Sequence, residues 1–349
     1  MRIVEVISGA GLGGAERALA RRLQFAPRGV ETHVVITGVE DSHLSVEMAQ
    51  YADVHRPHTA PLKFVRSLDP DLIVTHNPKE AIRILSHRTL PARVPVAVVA
   101  HNEISSEGGF KRKLLDPLMP ILNGRAWRHL AVSSRAANGV QCRGAKDIRV
   151  TLLGSTVSLG AEPRYDFWPQ DTRVRLAAVG RFSPQKNLHN LLLAVHHSQG
   201  ELIAAGVHLV VAGDGPERSS LLALADRLGI EQVLTIREWI EPSDGVMAAA
   251  DALLIASCAE GGPLTLYEAL LAGARVVSTD VGASLDVLPS DERCDFFRGS
   301  DVISLSHGLV SLARGGRVDE TERANRRKKF EFLSTHDRTK FFYDALDAI

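Results

Sequence analysis

Short apolar runs alternate with stretches of helical spacing along the whole chain. In the first half, residues 3–7, 32–37, 71–75, 95–100 and 129–133 read as strands; in the second, 175–179, 208–212, 233–237, 252–256 and 275–279 do so. The runs are almost continuous Val, Ile, Leu and Ala, the pattern of parallel strands covered by helices on both faces. Between the two series, after Gly160-Ala161-Glu162-Pro163, residues 165–170 are polar, interrupted by proline and without period, and they read as a linker. The expected architecture is α/β, with two Rossmann-like doubly wound domains at 1–165 and 172–330. A final helix within 331–349 is expected to pack back on the first domain.

A length of 349 residues suits two domains of ordinary size. Hydrophobic content of 45%, with 23% charge and 5% aromatics, describes a soluble α/β protein without low-complexity tracts. Cys142, Cys258 and Cys294 form no CxxC pair and read as packing residues in a reducing compartment, giving neither a disulfide framework nor a zinc site. Met1-Arg2 leads straight into a strand without the pattern of a signal peptide, so a cytoplasmic location is expected. No uncharged run approaches the roughly 20 residues of a membrane span, which leaves peripheral contact as the expected mode at the inner face of a membrane. Charge is balanced overall at 41 basic and 41 acidic residues, yet residues 1–170 hold 22 Lys and Arg against 16 Asp and Glu. That asymmetry suits an anionic partner of the first half, such as a lipid surface or a phosphorylated acceptor; scattered surface charge is the plain alternative. No nucleic-acid partner is expected.

Ligands of doubly wound sheets sit beyond the carboxyl ends of the strands, so residues directly after strands carry most weight. Gly9-Ala10-Gly11-Leu12-Gly13-Gly14-Ala15-Glu16 follows the first strand and opens a helix. Its glycines let backbone N–H groups approach a phosphate or sugar. The same residues satisfy G-x-G-x-x-G, but the acidic residue a nicotinamide site needs after the second strand is only a late Glu40. His101-Asn102 stands at another strand end, as does the weaker candidate His76-Asn77. Asp69-Pro70-Asp71 precedes its strand and reads as a turn rather than a metal motif.

The second half is more specific. Val179-Gly180-Arg181-Phe182-Ser183-Pro184-Gln185-Lys186-Asn187 runs from a strand into an expected helix with Ser183 as N-cap and Pro184 in its first position. Arg181 and Lys186 then flank a helix start, where a guanidinium and an ammonium suit a departing diphosphate. Gly213-Asp214-Gly215-Pro216 is a further strand-end turn. Glu260-Gly261-Gly262-Pro263-Leu264-Thr265-Leu266-Tyr267-Glu268 places one carboxylate ahead of a helix and another two turns inside it. The N–H groups of Leu264 and Thr265 are left for a phosphate, and carboxylates accept hydrogen bonds from vicinal diols. The basic cluster Arg326-Arg327-Lys328-Lys329 reads as a solvated helix face.

Taken together and in order, these motifs resemble the family 4 retaining glycosyltransferases of the GT-B fold (glycosyl transferases group 1). That family carries G-G-x-E, G-R-x-x-x-x-K, G-x-G-P and E-x7-E, and the likeness covers most of the chain. The resemblance implies two Rossmann-like domains facing across a cleft, the first binding the acceptor and the second the nucleotide sugar. It implies Arg181 and Lys186 on the diphosphate, Glu268 on the ribose, Glu260 on the donor sugar and the Leu264 and Thr265 amides on phosphate. Gly13 and Gly14 would approach the donor from the first domain, and His101 would meet the sugar near the reacting carbon. The implied enzyme is a metal-independent hexosyltransferase without a cofactor. Its donor would be a UDP- or GDP-linked sugar, and its acceptor a glycan or lipid-linked acceptor in envelope, capsule or exopolysaccharide assembly. The basic segment Lys111-Arg112-Lys113 suggests contact with an anionic membrane.

The chain departs from the family pattern at several points. It reads Gly154-Ser155-Thr156-Val157 where an Asn-Gly pair is frequent, Gly282-Ala283 where a glycine pair is frequent, Arg275 in place of a proline, and Glu238 beside Trp239 in place of a glycine. None removes a charged group of the motifs; they bear on base recognition and acceptor geometry. A nucleotide-sugar 2-epimerase of the same fold, a donor-binding domain without turnover, and an NAD-dependent Rossmann dehydrogenase are the rival readings.

Overall fold

The computed structural model describes all residues except 10–12, 39–42, 58, 77, 87–93, 102–118, 156–161, 239–243, 289–296, 298–299 and 348–349. Gly11, Glu40, Asn77, Asn102, Lys111-Arg112-Lys113, Trp239 and Cys294 therefore lie outside the described residues, as do Thr156 and Val157 of the departures above. The chain divides into two compact units, Met1–Ser155 with Thr335–Ile349, and Thr156–Ser334.

The first unit is built on seven parallel strands in the order β3-β2-β1-β4-β5-β6-β7. They are β1 (Arg2–Ile7), β2 (Glu31–Ile36), β3 (Asp53–His55), β4 (Leu72–Thr75), β5 (Val96–Ala100), β6 (Arg128–Ala131) and β7 (Ile148–Val150). The edge strands β3 and β7 have three residues each and no buried position, so no apolar run announces them. In the central strands alternate residues point to opposite faces. Val4, Val6, Ile73, Val96 and Val98 pack against Ala81 and Ile84 of the helix Pro78–Ser86. Ile3, Leu72, Val74, Ala97 and Val99 pack against Phe342 and Tyr343 of the helix Thr335–Ala345. Each Val, Leu, Ile or Phe among them, once buried, contributes roughly 1.5–3 kcal/mol relative to exposure. The last helix therefore supplies one wall of the first unit's core.

The second unit carries five parallel strands, β8 (Val174–Val179), β9 (Val207–Ala212), β10 (Leu234–Arg237), β11 (Ala252–Ile255) and β12 (Arg275–Ser278), in the order β10-β9-β8-β11-β12. Three expectations are corrected here. Residues 165–170 are no linker: Tyr165–Phe167 form a 3-10 turn, Phe167 and Trp168 are buried in the second core with Ala177 and Val210, and the Trp168 indole donates to the Leu176 carbonyl at 3.1 Å. The boundary of the first unit thus moves from 165 back to Ser155, and that of the second from 172 back to Thr156. Two aromatic side chains flanked by polar residues hide their burial from a periodicity reading. The basic cluster is not wholly solvated, because Arg326 and Arg327 donate to the carbonyls of Ala274 and Ala272, at 3.3 and 3.1 Å. Cys142 and Cys258 are exposed, so neither is a packing residue.

Among the described residues no helix is long and apolar enough to cross a membrane.

Candidate functional site

The strand order of the second unit reverses between β8 and β11, neighbours whose connections run to opposite sides. Loops leaving the carboxyl ends of two such strands diverge and leave a crevice. A small cavity of about 20 Å³ lies there, lined by Gly180, Arg181 and Lys186 after β8, by Ser257 after β11, and by Thr265.

The β8 loop differs from its sequence-based form. Ser183 is extended and makes no side-chain cap, Pro184–Lys186 form a single 3-10 turn, and the α-helix starts only at Leu188. The break is Asn187, whose φ of 57° is left-handed and whose Nδ2 donates to the carbonyls of Ala256 (3.1 Å) and Ser300 (2.7 Å). Asparagine tolerates this region better than most residues. The turn carries Lys186 back over Gly180, where an added Cβ would meet its Cε at 3.3 Å. Its Nζ reaches Oε1 of Glu260 at 2.6 Å. Gly213, from the next strand end, packs so closely under this loop that a Cβ would strike the Gly180 carbonyl.

Glu260 is 7% exposed and is held from several directions. The Ser257 hydroxyl donates to the same Oε1 at 2.8 Å, and the Thr279 hydroxyl donates to the Ser257 carbonyl at 2.6 Å. Gln185 brackets the loop, accepting from the Cys258 amide at 2.9 Å and donating to the Ala259 carbonyl at 2.5 Å. From below, Gly282 abuts the carbonyls of Glu260 and Gly261 with φ +50°. A loop so constrained presents its carboxylate without paying ordering entropy on binding.

The helix Leu264–Ala272 follows Pro263, which offers no side-chain cap. The amides of Leu264 and Thr265 belong to its first turn and have no intrahelical acceptor, while the helix dipole adds partial positive charge there. Glu268 is 3% exposed inside the same helix. The far end is pinned by Arg323, which donates to the carbonyls of Ala272 and Ala250 at 3.3 and 2.9 Å. Arg181 is exposed at the cavity. Arg181, Lys186, Glu260 and the Thr265 end of the helix are therefore gathered around one crevice, a set able to receive phosphates and hydroxyls together.

In the first unit, Gly13 is the extended N-cap of the helix Gly14–Leu23, and a side chain there would run into the Glu16 carboxylate. Gly14 opens that helix facing free space. His101 follows β5 and is joined to His76 after β4, Nε2 to Nδ1, at 2.9 Å. A cavity of about 40 Å³ is bounded by both imidazoles, Arg22, Gly154 and Phe342. Burial above all, with the positive field of Arg22 added, holds the His101 pKa well below the usual histidine range. Among the described residues the one group of side chains able to share a metal ion is Glu31, His33 and Asp53. Glu31 and Asp53 begin β2 and β3, so this group is at the opposite end of the strands from His76 and His101.

Residues 167–328 match the family model of the glycosyl transferases group 1. That span is nearly the whole of the second unit. The second unit is a glycosyl transferases group 1 domain.

The lipopolysaccharide core biosynthesis glycosyltransferase LpsE of Rhizobium meliloti is 32% identical over 111 residues, covering 32% of this chain and 31% of the relative. The lipopolysaccharide 1,6-galactosyltransferase of Salmonella typhimurium is 30% identical over 160 residues, or 44% and 42% of the two chains. The matched segments thus span less than half of these curated relatives. The fold extends over the entire chain: it is similar to HepE of Anabaena in complex with UDP and glucose, with TM-score 0.79, 19% identity and 100% coverage of both chains. The outer core galactosyltransferase WaaB has TM-score 0.71 at 17% identity, covering 100% of this chain and 99% of its own. The architecture is the GT-B fold.

Around the group 1 domain's crevice, motif spacing did not single out Ser257, Gln185, Asn187 or Thr279. They carry no motif signature: Gln185, Asn187 and Thr279 fix loops through backbone carbonyls, and Ser257 donates to the Glu260 carboxylate itself. Ser257 was the most accessible from sequence, being a polar residue just beyond a wholly apolar strand.

Proposed function

We propose that the chain is a retaining, metal-independent glycosyltransferase that moves a hexose from a nucleotide sugar, UDP- or GDP-linked, to a hydroxyl of a glycan or lipid-linked acceptor in cell-envelope, capsule or exopolysaccharide assembly. The observation that carries this reading is the Lys186–Glu260 pair, 2.6 Å apart at the β8/β11 crevice of a group 1 domain, beside Arg181 and the uncapped start of Leu264–Ala272. Lys186 has three donors and uses one on Glu260, leaving two for diphosphate oxygens. Arg181 and the Leu264 and Thr265 amides complete a cationic cradle whose attraction grows as the sugar–phosphate bond lengthens. Such a cradle neutralises the leaving diphosphate without a metal ion. Glu260 accepts from sugar hydroxyls and Glu268 from the ribose; Gly13, Gly14 and His101 are the donor contacts proposed for the first unit.

In this mechanism the anomeric carbon–oxygen bond to the diphosphate breaks as the acceptor hydroxyl bonds to the same face of the carbon. The acceptor proton passes to a phosphate oxygen of the departing group, so no covalent enzyme intermediate forms and the anomeric configuration is kept. HepE was crystallised with UDP and UDP-glucose, which supports a uridine donor as the first to test. The similarity to lipopolysaccharide glycosyltransferases supports an envelope acceptor. The first domain's binding of the acceptor and a peripheral contact with anionic lipid belong to the same proposal.

A thermal-shift series with UDP, GDP, ADP, TDP and NAD tests it. A ligand at 100 times its Kd adds about 2.7 kcal/mol to the native state, a rise of several degrees. A shift with one nucleoside diphosphate is expected; a shift with NAD alone would overturn the reading. Product anomer by NMR, and turnover retained in EDTA, test retention and metal independence separately.

A further inference from the structure

Four side chains of the first unit are linked by hydrogen bonds through its interior. Arg22, 7% exposed, donates from Nη2 to Oε1 of Glu5 at 2.9 Å. Glu5 lies on β1, fully buried, and its Oε2 is 2.7 Å from Nε2 of His76. Nδ1 of His76, a residue 3% exposed, is 2.9 Å from Nε2 of His101. A second anchor comes from the returning helix: the Arg22 guanidinium lies 3.7 Å from the centre of the Phe342 ring, and its Nη1 donates to the Tyr343 hydroxyl at 3.4 Å.

The donor rules of these groups leave few proton arrangements. A guanidinium only donates, and an ionised carboxylate only accepts. Burial alone would raise the Glu5 pKa, but Arg22 and the bonds from His76 outweigh it and hold the carboxyl below its ordinary value. Glu5 is therefore ionised and His76 carries its proton on Nε2. Arg22 already balances the Glu5 charge, and among the described residues the His76 ring has hydrogen bonds only to Glu5 and His101. A neutral imidazole has one N–H and one bare nitrogen, so a hydrogen on His76 Nε2 leaves Nδ1 bare, and the contact with His101 then needs the hydrogen on His101 Nε2.

We propose that Glu5 and His76 are positioning residues that fix His101 as its Nε2–H tautomer, so that its other nitrogen, Nδ1, serves as a hydrogen-bond acceptor for a hydroxyl of the reacting sugar. The catalytic half of this inference rests on the functional reading above; the tautomer half does not. Arg22 and the Phe342–Tyr343 end of the returning helix orient the Glu5 carboxylate and thereby the whole relay.

The substitution Glu5→Gln reverses the relay without changing its shape. Arg22 compels the amide oxygen to face it, so the amide NH2 faces His76 Nε2, which must then be bare. His76 carries its hydrogen on Nδ1 and donates to His101 Nε2, which leaves His101 as the Nδ1–H tautomer. Long-range 15N–1H spectra of histidine-labelled full-length protein at pH 8, with His101→Gln and His76→Phe used for assignment, read the tautomers directly and need no substrate. The Nε2–H form of His101 is expected in the natural protein and the Nδ1–H form in Glu5→Gln. With the sugar nucleotide that supports turnover, kcat should fall about 100-fold or more while KM for the donor changes little. The same His101 tautomer in both proteins overturns the proposal, and a reversed tautomer with unchanged kcat overturns its catalytic half. Should Glu5→Gln not fold, His76→Phe is read instead: His101 then averages between tautomers, and an unaltered Nε2–H signature refutes the relay. A protein that turns over no nucleotide sugar, yet shows the expected tautomers, refutes the functional reading and leaves the relay standing.

Discussion

His129 offers a quantitative test of the first unit's interior. It stands on β6, between β5 and β7, 1% exposed, and neither ring nitrogen has a hydrogen-bond partner among the described residues. Burial lowers its pKa to about 4, the opposing pull of Asp147 being too weak to restore it. In the unfolded chain the same group titrates near ~6.5. The folded value is the depressed one, so the unfolded state takes up its proton first as pH falls. Stability is unaffected by His129 above about pH 6.5, declines between about 6.5 and 4, and levels off below. The full gap corresponds to about 3 kcal/mol, of which about 2.5 kcal/mol is lost by pH 4.5. His129→Leu removes the titration and two unsatisfied ring nitrogens, so at pH 8 the variant should be as stable as the natural protein or more so. Urea unfolding at pH 8 and at pH 4.5, with pulse hydrogen exchange on first-unit peptides to isolate that unit's transition, gives the difference. His101 has a lowered pKa in both proteins and cancels. The variant should gain about 2.5 kcal/mol over the natural protein between the two pH values; a difference independent of pH refutes the linkage argument.

Lys186→Met should lower kcat/KM for the donor by about 10²- to 10³-fold, the loss typical of removing one charge-stabilising donor, and should destabilise the second unit by leaving Glu260 buried beside Ser257 alone. Lys186→Met with Glu260→Gln should recover the stability but not the activity, as read by denaturation and turnover of the same preparations. Gly282→Ala forces a Cβ toward the Glu260 carbonyl at 2.8 Å from a left-handed backbone; a cost of at least about 1–2 kcal/mol and a weakened nucleoside diphosphate response in calorimetry are expected. Phe342→Ala should cost about 3–5 kcal/mol in the first unit's unfolding, and unchanged stability would remove the returning helix from that core.

Strand positions were legible where the core demanded them. Ten strands, among them β10 and β12 at the edges of the second sheet, are rich in apolar residues and show in the sequence, whereas β3 and β7, three residues each with no buried position, carry no such run. Glycines and charges directly after strands marked the crevice residues, since a doubly wound sheet binds at its carboxyl edge. The Ser183 cap was misread for a local reason: Asn187 adopts a left-handed conformation to reach carbonyls about 70 and 110 residues away, and a sequence window contains no such partner.

The order of apolar runs thus determined the fold class and the strand ends at which charged groups stand, because burial and parallel pairing act on composition alone. The tertiary structure decided which of those groups meet. It brought Lys186 to Glu260 across 74 residues, and His76 to Glu5 across 71. It also made Phe167 and Trp168 core rather than linker, and carried Phe342 and Tyr343 back to Arg22. A buried Glu5 inside Ile3-Val4-Glu5-Val6-Ile7 looks like a flaw in a strand until the opposite charge that neutralises it is located. Charge compensation and hydrogen-bond satisfaction act between spatial neighbours, and those are set by packing.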